Sequence, residues 1–159
     1  APLIISAPGI KSSKTTSPTE FIDVFPTLCE LTGLSIPNTL DGNSLVPVMK
    51  NPKTKVKDYS VSQYPRTRNK LDDERLGWSD GQFMGYSIRT EQFRYTVWMK
   101  DGYRSERPFS KDLVVASELY DYKKDPNETV NVVYDNKYAA VSKAMETKME
   151  EFFLSQLIK

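Results

Sequence analysis

The chain has 159 residues, 38% of them hydrophobic and 27% charged, with ten prolines and seven glycines; this suits one compact soluble domain or two small sub-domains, burying roughly 70% of the unfolded surface, and excludes a helical bundle or a second large domain. A formal net charge of +1 provides no global field for nucleic acid or a membrane surface, so any electrostatic function must come from local clusters. A single cysteine and no histidine exclude an intrachain disulfide, a Ser-His-Asp or Cys-His pair, and a thiolate or imidazole metal site.

The first apolar run, Pro2-Leu3-Ile4-Ile5-Ser6-Ala7, is closed by Pro8-Gly9. It is too short for a membrane span or a signal-peptide core and reads as a strand buried on both faces of a parallel or mixed sheet. With no polar lead-in, it reads as a strand entered in mid-fold, as in a fragment. After a Lys/Ser/Thr loop, Asp23 is placed to cap a helix whose first turn tolerates Pro26 and which should end at Gly33. Val24, Leu28 and Leu31, flanked by Phe25 and Cys29, are expected to form its buried stripe.

Residues 35 to 57 are rich in Pro, Asn, Gly and Lys and read as a connector, with one short helical turn over Leu45 to Met49. Strands follow at Tyr59 to Tyr64, Met84 to Arg89, Phe93 to Met99 and Ser117 to Tyr122, rich in Tyr, Val, Ile, Trp and Thr. The middle two should form a hairpin turning at Thr90-Glu91-Gln92. Tyr138, Val141, Met145, Met149, Phe152 and Gln156 advance by three or four, with Ala144, Phe153 and Leu157 alongside. They predict a long amphipathic helix over one face of the sheet.

Few residues carry chemistry on their own. Cys29 lies on the inner side of the first predicted helix with no base nearby, and reads as a small buried hydrophobe. Asp72-Asp73-Glu74 lacks the alternating ligand spacing and turn glycine of a calcium loop and reads as a solvated run. Gly77, Gly81 and Gly85 make no phosphate loop, and Asn127-Glu128-Thr129 matches the glycosylation acceptor pattern only as chance often does.

Asp23-Val24-Phe25-Pro26-Thr27-Leu28-Cys29-Glu30-Leu31-Thr32-Gly33, followed by Asp41-Gly42-Asn43-Ser44-Leu45, resembles an ordered pair of motifs in type I sulfatases, members of the alkaline phosphatase superfamily. Residues 1 to 9 resemble the sulfatase strand that enters the sheet after the active-site loops. Ser62-Gln63-Tyr64-Pro65-Arg66 and Met84-Gly85-Tyr86-Ser87-Ile88-Arg89-Thr90, with Phe93-Arg94-Tyr95-Thr96-Val97-Trp98, are similar to the iduronate-2-sulfatase branch, more than to related phosphate- or phosphonate-ester hydrolases. Glu118-Leu119-Tyr120-Asp121 and Asp125-Pro126-Asn127-Glu128-Thr129-Val130-Asn131 resemble the sulfatase E-L-Y-D and D-P-x-E-x-x-N signature.

The resemblance implies an α/β fold (an α+β fragment): residues 1–57 ending the large sulfatase domain and its connector, and 58–159 forming a small four-stranded antiparallel sheet with a C-terminal helix. It implies a sulfuric ester hydrolase acting on sulfated uronate-containing glycans. The catalytic formylglycine, made from the cysteine of a Cys-x-Pro-Ser-Arg motif, and the calcium site would belong to an N-terminal part. Cys29 is followed by Glu30-Leu31-Thr32, so neither group carries over to this chain. No catalytic or metal-binding residue is expected here, no cofactor bound by this chain, and no activity from it alone. Family resemblance further implies export, periplasmic or secreted in bacteria and lysosomal in animals; the residues themselves leave the compartment undetermined.

Under this reading the partners are the N-terminal sulfatase domain and a sulfated glycan, with no nucleic acid and no membrane span, and with self-association possible for an uncovered fragment. Tyr64, Arg66, Arg68 and Lys70 are the candidate substrate-binding residues, because a cationic loop beside a strand end suits uronate carboxylates and sulfates; a solvated basic loop is the plainer alternative. Lys50, Lys53, Lys55 and Lys57 read as a solvated connector face, and Tyr95, Trp98 and Tyr103 as core or sheet-face aromatics. The competing function is an autonomous anionic-glycan binding or docking module without catalysis.

Overall fold

The computed structural model describes residues 2–67, 82–100 and 110–156. The chain divides into two compact units, Ala1–Ser60 and Val61–Lys159.

In the first unit a 3-10 turn (Phe21–Asp23) leads into α1 (Val24–Leu31), and a loop connects to the short α2 (Val46–Lys50). Pro26 is accommodated in the first turn of α1, where its missing N–H costs no bond. Helix α1, with Thr32 at its C-cap, is closed by Gly33, whose φ is +74°. The Leu34 N–H reaches Cys29 O at 2.9 Å and the Gly33 N–H reaches Glu30 O at 3.2 Å, the paired closure that a left-handed glycine permits.

Three expectations for this unit are corrected. Residues 2–7 form no strand, and Ile4 is 89% exposed; a strand needs a hydrogen-bonded neighbour, and no described residue of the unit supplies one. Asp23 stands at the N-cap of α1 but in helical geometry, with no side-chain bond to that helix. The inward face of α1 is Pro26, Thr27 and Cys29, whereas Phe25 and Leu28 are more than half exposed. The bonds that Thr27 makes hold it inward, while Val24 and Leu31 of the expected stripe are half-buried.

In the second unit β1 (Ser60–Thr67), β2 (Gln82–Arg89), β3 (Phe93–Lys100) and β4 (Val114–Asp121) form a four-stranded sheet in the order β1-β2-β3-β4. Strands β2 and β3 pair antiparallel from Phe83↔Lys100 to Arg89↔Arg94, and β3 and β4 from Met99↔Val114 to Phe93↔Asp121. The hairpin between β2 and β3 is closed by the Thr90 N–H on Phe93 O at 2.8 Å.

A 3-10 turn (Asn136–Tyr138), capped by Asp135 accepting the Lys137 N–H, opens α3 (Ala139–Gln156). Period-two alternation sends Ile88, Tyr95, Val97, Met99 and Leu119 to one side of the sheet, where Met145 and Met149 of α3 are also buried. Phe153 completes the contact, its ring edge-on to Tyr86 at 4.7 Å. Gln156, placed on the inward stripe by its spacing, is exposed, because 3.6 residues per turn rotates the end of the stripe toward Phe153. Tyr95 belongs to this core, and burial pushes its hydroxyl above the ordinary range.

Candidate functional site

The motifs resolve first into joints. In the first unit Asp23 is fully buried. Its carboxylate accepts the Glu20 N–H (2.8 Å), the Asn43 N–H (2.9 Å) and the Lys57 ammonium (2.7 Å). Lys57 also meets Glu20 at 2.5 Å. It is only 11% exposed, which corrects its placement on a solvated connector face. Thr27 Oγ1 donates to Asp23 O and accepts the Leu45 N–H at 2.9 Å. A Cβ on Gly42 would stand 2.0 Å from Ile22 O, so only glycine allows this approach. The two motif halves around Asp23 and Asn43 are thus one stitched structure.

The second signature is also a joint. Asp121, 4% exposed at the end of β4, accepts Gln92 Nε2 (3.0 Å) from the hairpin and the Tyr138 hydroxyl (2.9 Å) from the start of α3. Burial opposes its ionisation, but these bonds and the Lys123 N–H outweigh it and hold the carboxyl below the ordinary range. Asn131 imitates a fifth strand beside β4: Oδ1 accepts the Leu119 N–H and Nδ2 donates to Ser117 O. Glu128, at φ 55°, meets both the Arg94 guanidinium and the Tyr122 hydroxyl.

The face of the sheet opposite α3 carries a groove of about 190 Å³. Ser62 and Tyr64 of β1 border it, at the two-residue spacing that also places Arg66 on that face. Gly85 forms its floor. A Cβ there would lie 2.8 Å from Trp98 Cζ3, so the glycine lets the indole lie across β2. Trp98 Nε1–H donates to Glu118 Oε1 at 2.8 Å and the Tyr120 hydroxyl to Glu118 Oε2 at 3.3 Å. The Arg66 guanidinium stands 5.4 Å from the Trp98 ring centre, and that of Arg94 5.1 Å from Tyr120. Burial and the Glu118 charge raise the Tyr120 hydroxyl above its ordinary range; burial, then the Glu128 bond, pushes Tyr122 up to about 12. Both phenols stay protonated donors at neutral pH.

Of the expected substrate-binding residues, Tyr64, 66% exposed, and Arg66 share this face. Arg68 and Lys70 lie outside the described residues, as do Asp72-Asp73-Glu74, Gly77, Gly81, Tyr103 and Leu157. Sequence reasoning passed over Arg94 and Glu118; the signal was there in their alternation with Thr96, Trp98 and Tyr120, polar positions on strands whose other side is core. Among the described residues, none fits the family's formylglycine or calcium. Cys29 is 5% exposed inside α1, out of reach of a substrate, and among the described residues no three of His, Cys, Asp or Glu gather to hold a metal ion.

The family described as N-sulphoglucosamine sulphohydrolase, C-terminal, matches residues 1–154. A Delta 4,5-hexuronate-2-O-sulfatase of Bacteroides thetaiotaomicron is 30% identical over 147 residues, covering 88% of this chain and 25% of that protein. Iduronate 2-sulfatase of Mus musculus is 29% identical over 148 residues, covering 77% and 26%. The fold is also similar to a phosphonate monoester hydrolase of Agrobacterium radiobacter, with a TM-score of 0.54 and 28% identity over 85% of this chain and 24% of that one. The chain therefore spans about a quarter of the length of the curated relatives it matches.

Proposed function

Since the chain belongs to the C-terminal family of the N-sulphoglucosamine sulphohydrolases, a family of sulfatase C-terminal domains, we propose that it works as the C-terminal portion of a sulfuric ester hydrolase acting on sulfated, uronate-containing glycans. Its part is structural support and one rim of the substrate pocket. Sulfate-ester hydrolysis, with formylglycine and calcium, resides in an N-terminal domain of the same protein. Stabilising the sulfuryl transition state demands concentrated, fixed positive charge, and the described residues gather none around a nucleophile. No helix among the described residues is long and apolar enough to cross a membrane, and an exported location accords with the sulfatase relatives.

The observation that carries the partner assignment is the bare apolar face of the first unit. Phe21 is 90% exposed, and Phe25, Leu28, Leu34 and Ile36 are exposed with it. Such a face is what a domain presents when a neighbour normally covers it. The occupant is the N-terminal sulfatase domain. Tyr64, Arg66, Arg68 and Lys70 are assigned to the pocket rim, where guanidinium forks match carboxylate and sulfate oxygens.

The test is complementation. The chain is assayed alone and after co-folding with the upstream part of its parent polypeptide, on an aryl sulfate and a phosphonate monoester in excess calcium. Sulfate turnover only from the pair is expected. Turnover by the chain alone, tracking the protein through repurification, overturns the assignment, and a pair active only on the phosphonate overturns the sulfatase reading. An autonomous glycan-binding module, the second reading, requires a monomer. Sedimentation should instead show association of the chain alone that Phe25→Ser with Leu28→Ser relieves.

A further inference from the structure

The lysines of the first unit are of two kinds. Lys57 is held in the joint with Asp23 and Glu20, whereas Lys11, Lys14, Lys50, Lys53 and Lys55 are all exposed. These five come from two segments, residues 10–19 and 46–57, and neither segment contains an acidic residue. Lys11, Lys14, Lys50 and Lys53 meet no carboxylate among the described residues.

The fold joins the two segments. Thr15 Oγ1 donates to Pro52 O at 2.9 Å, across 37 positions of sequence, and accepts the Ser17 N–H at 3.1 Å. Lys14 and Lys53 adjoin the two ends of this bond. Asn51 turns the second segment: its carbonyl accepts the Thr54 N–H at 2.9 Å and its side chain the Lys53 N–H at 3.2 Å, which keeps Lys50, Lys53 and Lys55 close along the chain. Five ammonium groups thus gather on two bonded loops of a chain whose formal net charge is +1. Like charges on one surface repel, and an anionic partner relieves that repulsion.

The residue types say which anion fits. Both segments lack arginine, whose planar fork selects the oxygens of individual carboxylates and sulfates, and both lack the aromatic rings on which sugars and bases stack. Lysine is a compact point charge on a flexible stem, and it responds to charge density more than to shape. Clustered lysines therefore match a plane of anionic headgroups, to which each adds its own attraction.

We propose that this two-loop lysine surface docks the protein peripherally on an anionic phospholipid bilayer, its ammonium groups lying among the headgroup phosphates. The inference concerns where the protein is held and does not depend on which ester it cleaves.

The chain is floated with phosphatidylcholine vesicles that either contain or lack phosphatidylglycerol, a format that leaves self-associated chain at the bottom of the gradient. Its affinity for a heparin oligosaccharide is measured by titration calorimetry. Flotation with the anionic vesicles at low salt is expected, with none on the neutral ones, and it should fade as salt screens the charges. Each lysine near an anionic surface contributes about fivefold. Lys11→Gln with Lys14→Gln, and separately Lys50→Gln with Lys53→Gln, should therefore each weaken partitioning about tenfold or more; circular dichroism and melting verify that both variants fold. No flotation with anionic vesicles, equal flotation with neutral ones, or flotation unchanged in both variants overturns the proposal. Loss in one variant alone overturns the joined surface. Tighter binding of heparin than of the vesicles, at equal anion concentration and through the same lysines, assigns the surface to a sulfated chain and overturns the lipid assignment.

Discussion

The indole of Trp98 lies across Gly85, so close that an added Cβ would stand 2.8 Å from Cζ3. This contact opens the floor of the groove and aims the indole N–H at Glu118. Gly85→Ala must therefore displace a bulky ring held by a hydrogen bond. A loss of about 1–3 kcal/mol is expected, in the range of overpacking substitutions, together with a changed near-ultraviolet signal. Urea titration and circular dichroism check both; unaltered values would mean that Trp98 is not seated on β2.

Asp23 is the anchor of the first unit. Its carboxylate binds two backbone N–H groups and Lys57, and its removal leaves a mostly buried ammonium with Glu20 as its remaining carboxylate partner. Asp23→Ala should cost about 3 kcal/mol, at the lower end for breaking a buried ion pair. Because Lys57 and Asp23 are in contact, the loss from Asp23→Ala with Lys57→Met should fall short of the sum of the single losses. Additive losses would contradict the stitch. Gly33→Val acts by a different route, through a φ of +74°, and should cost about 1–2 kcal/mol.

Acid should loosen the second unit through Asp121. The carboxyl's ordinary value is 3.8 and the fold lowers it. Its stabilisation is therefore fully present above the unfolded value and lost as pH falls through the lower folded one. Asp121→Asn should lower the melting temperature at about pH 6, and the gap between parent and variant should shrink toward about pH 3. A gap independent of pH would show that the charge of Asp121 plays no part.

What the sequence made legible was periodicity. Strands β2 and β3 were located to within two residues because Tyr, Ile and Val alternate with polar positions. Helix α3 was located because Met145 and Met149 recur on one face. What stayed hidden was set by distant partners. The apolar spacing of Phe25 and Leu28 predicted an inward stripe, but nothing local says that Thr27 is drawn in instead by Leu45, eighteen residues on. The strand expected at residues 2–7 fails in the same way, since no described residue of the unit pairs with it. Asp23 preceding a helix looked like a cap, and only the approach of Asn43 and Lys57 makes it a buried hub. On the groove face, Tyr64 and Arg66 were singled out through a charge cluster, whereas Arg94 and Glu118 come together only through the pairing of β3 with β4.

The most direct measurement of the central claim is made on the full-length sulfatase proposed to contain this chain, with Arg66→Ala and Arg68→Ala combined. If this chain supplies the uronate-facing rim while hydrolysis resides elsewhere, KM for a 2-sulfated uronate disaccharide should rise about tenfold, equivalent to about 1.4 kcal/mol, with kcat little changed. Turnover of a small aryl sulfate should be nearly unaffected, and added salt should shrink the difference, because partly exposed charges are screened over about 8 to 10 Å. The contrast between substrates separates recognition from damage to folding, which would harm both alike. Unchanged KM for the uronate substrate at low salt would contradict the account and leave Arg66 and Arg68 as a solvated surface.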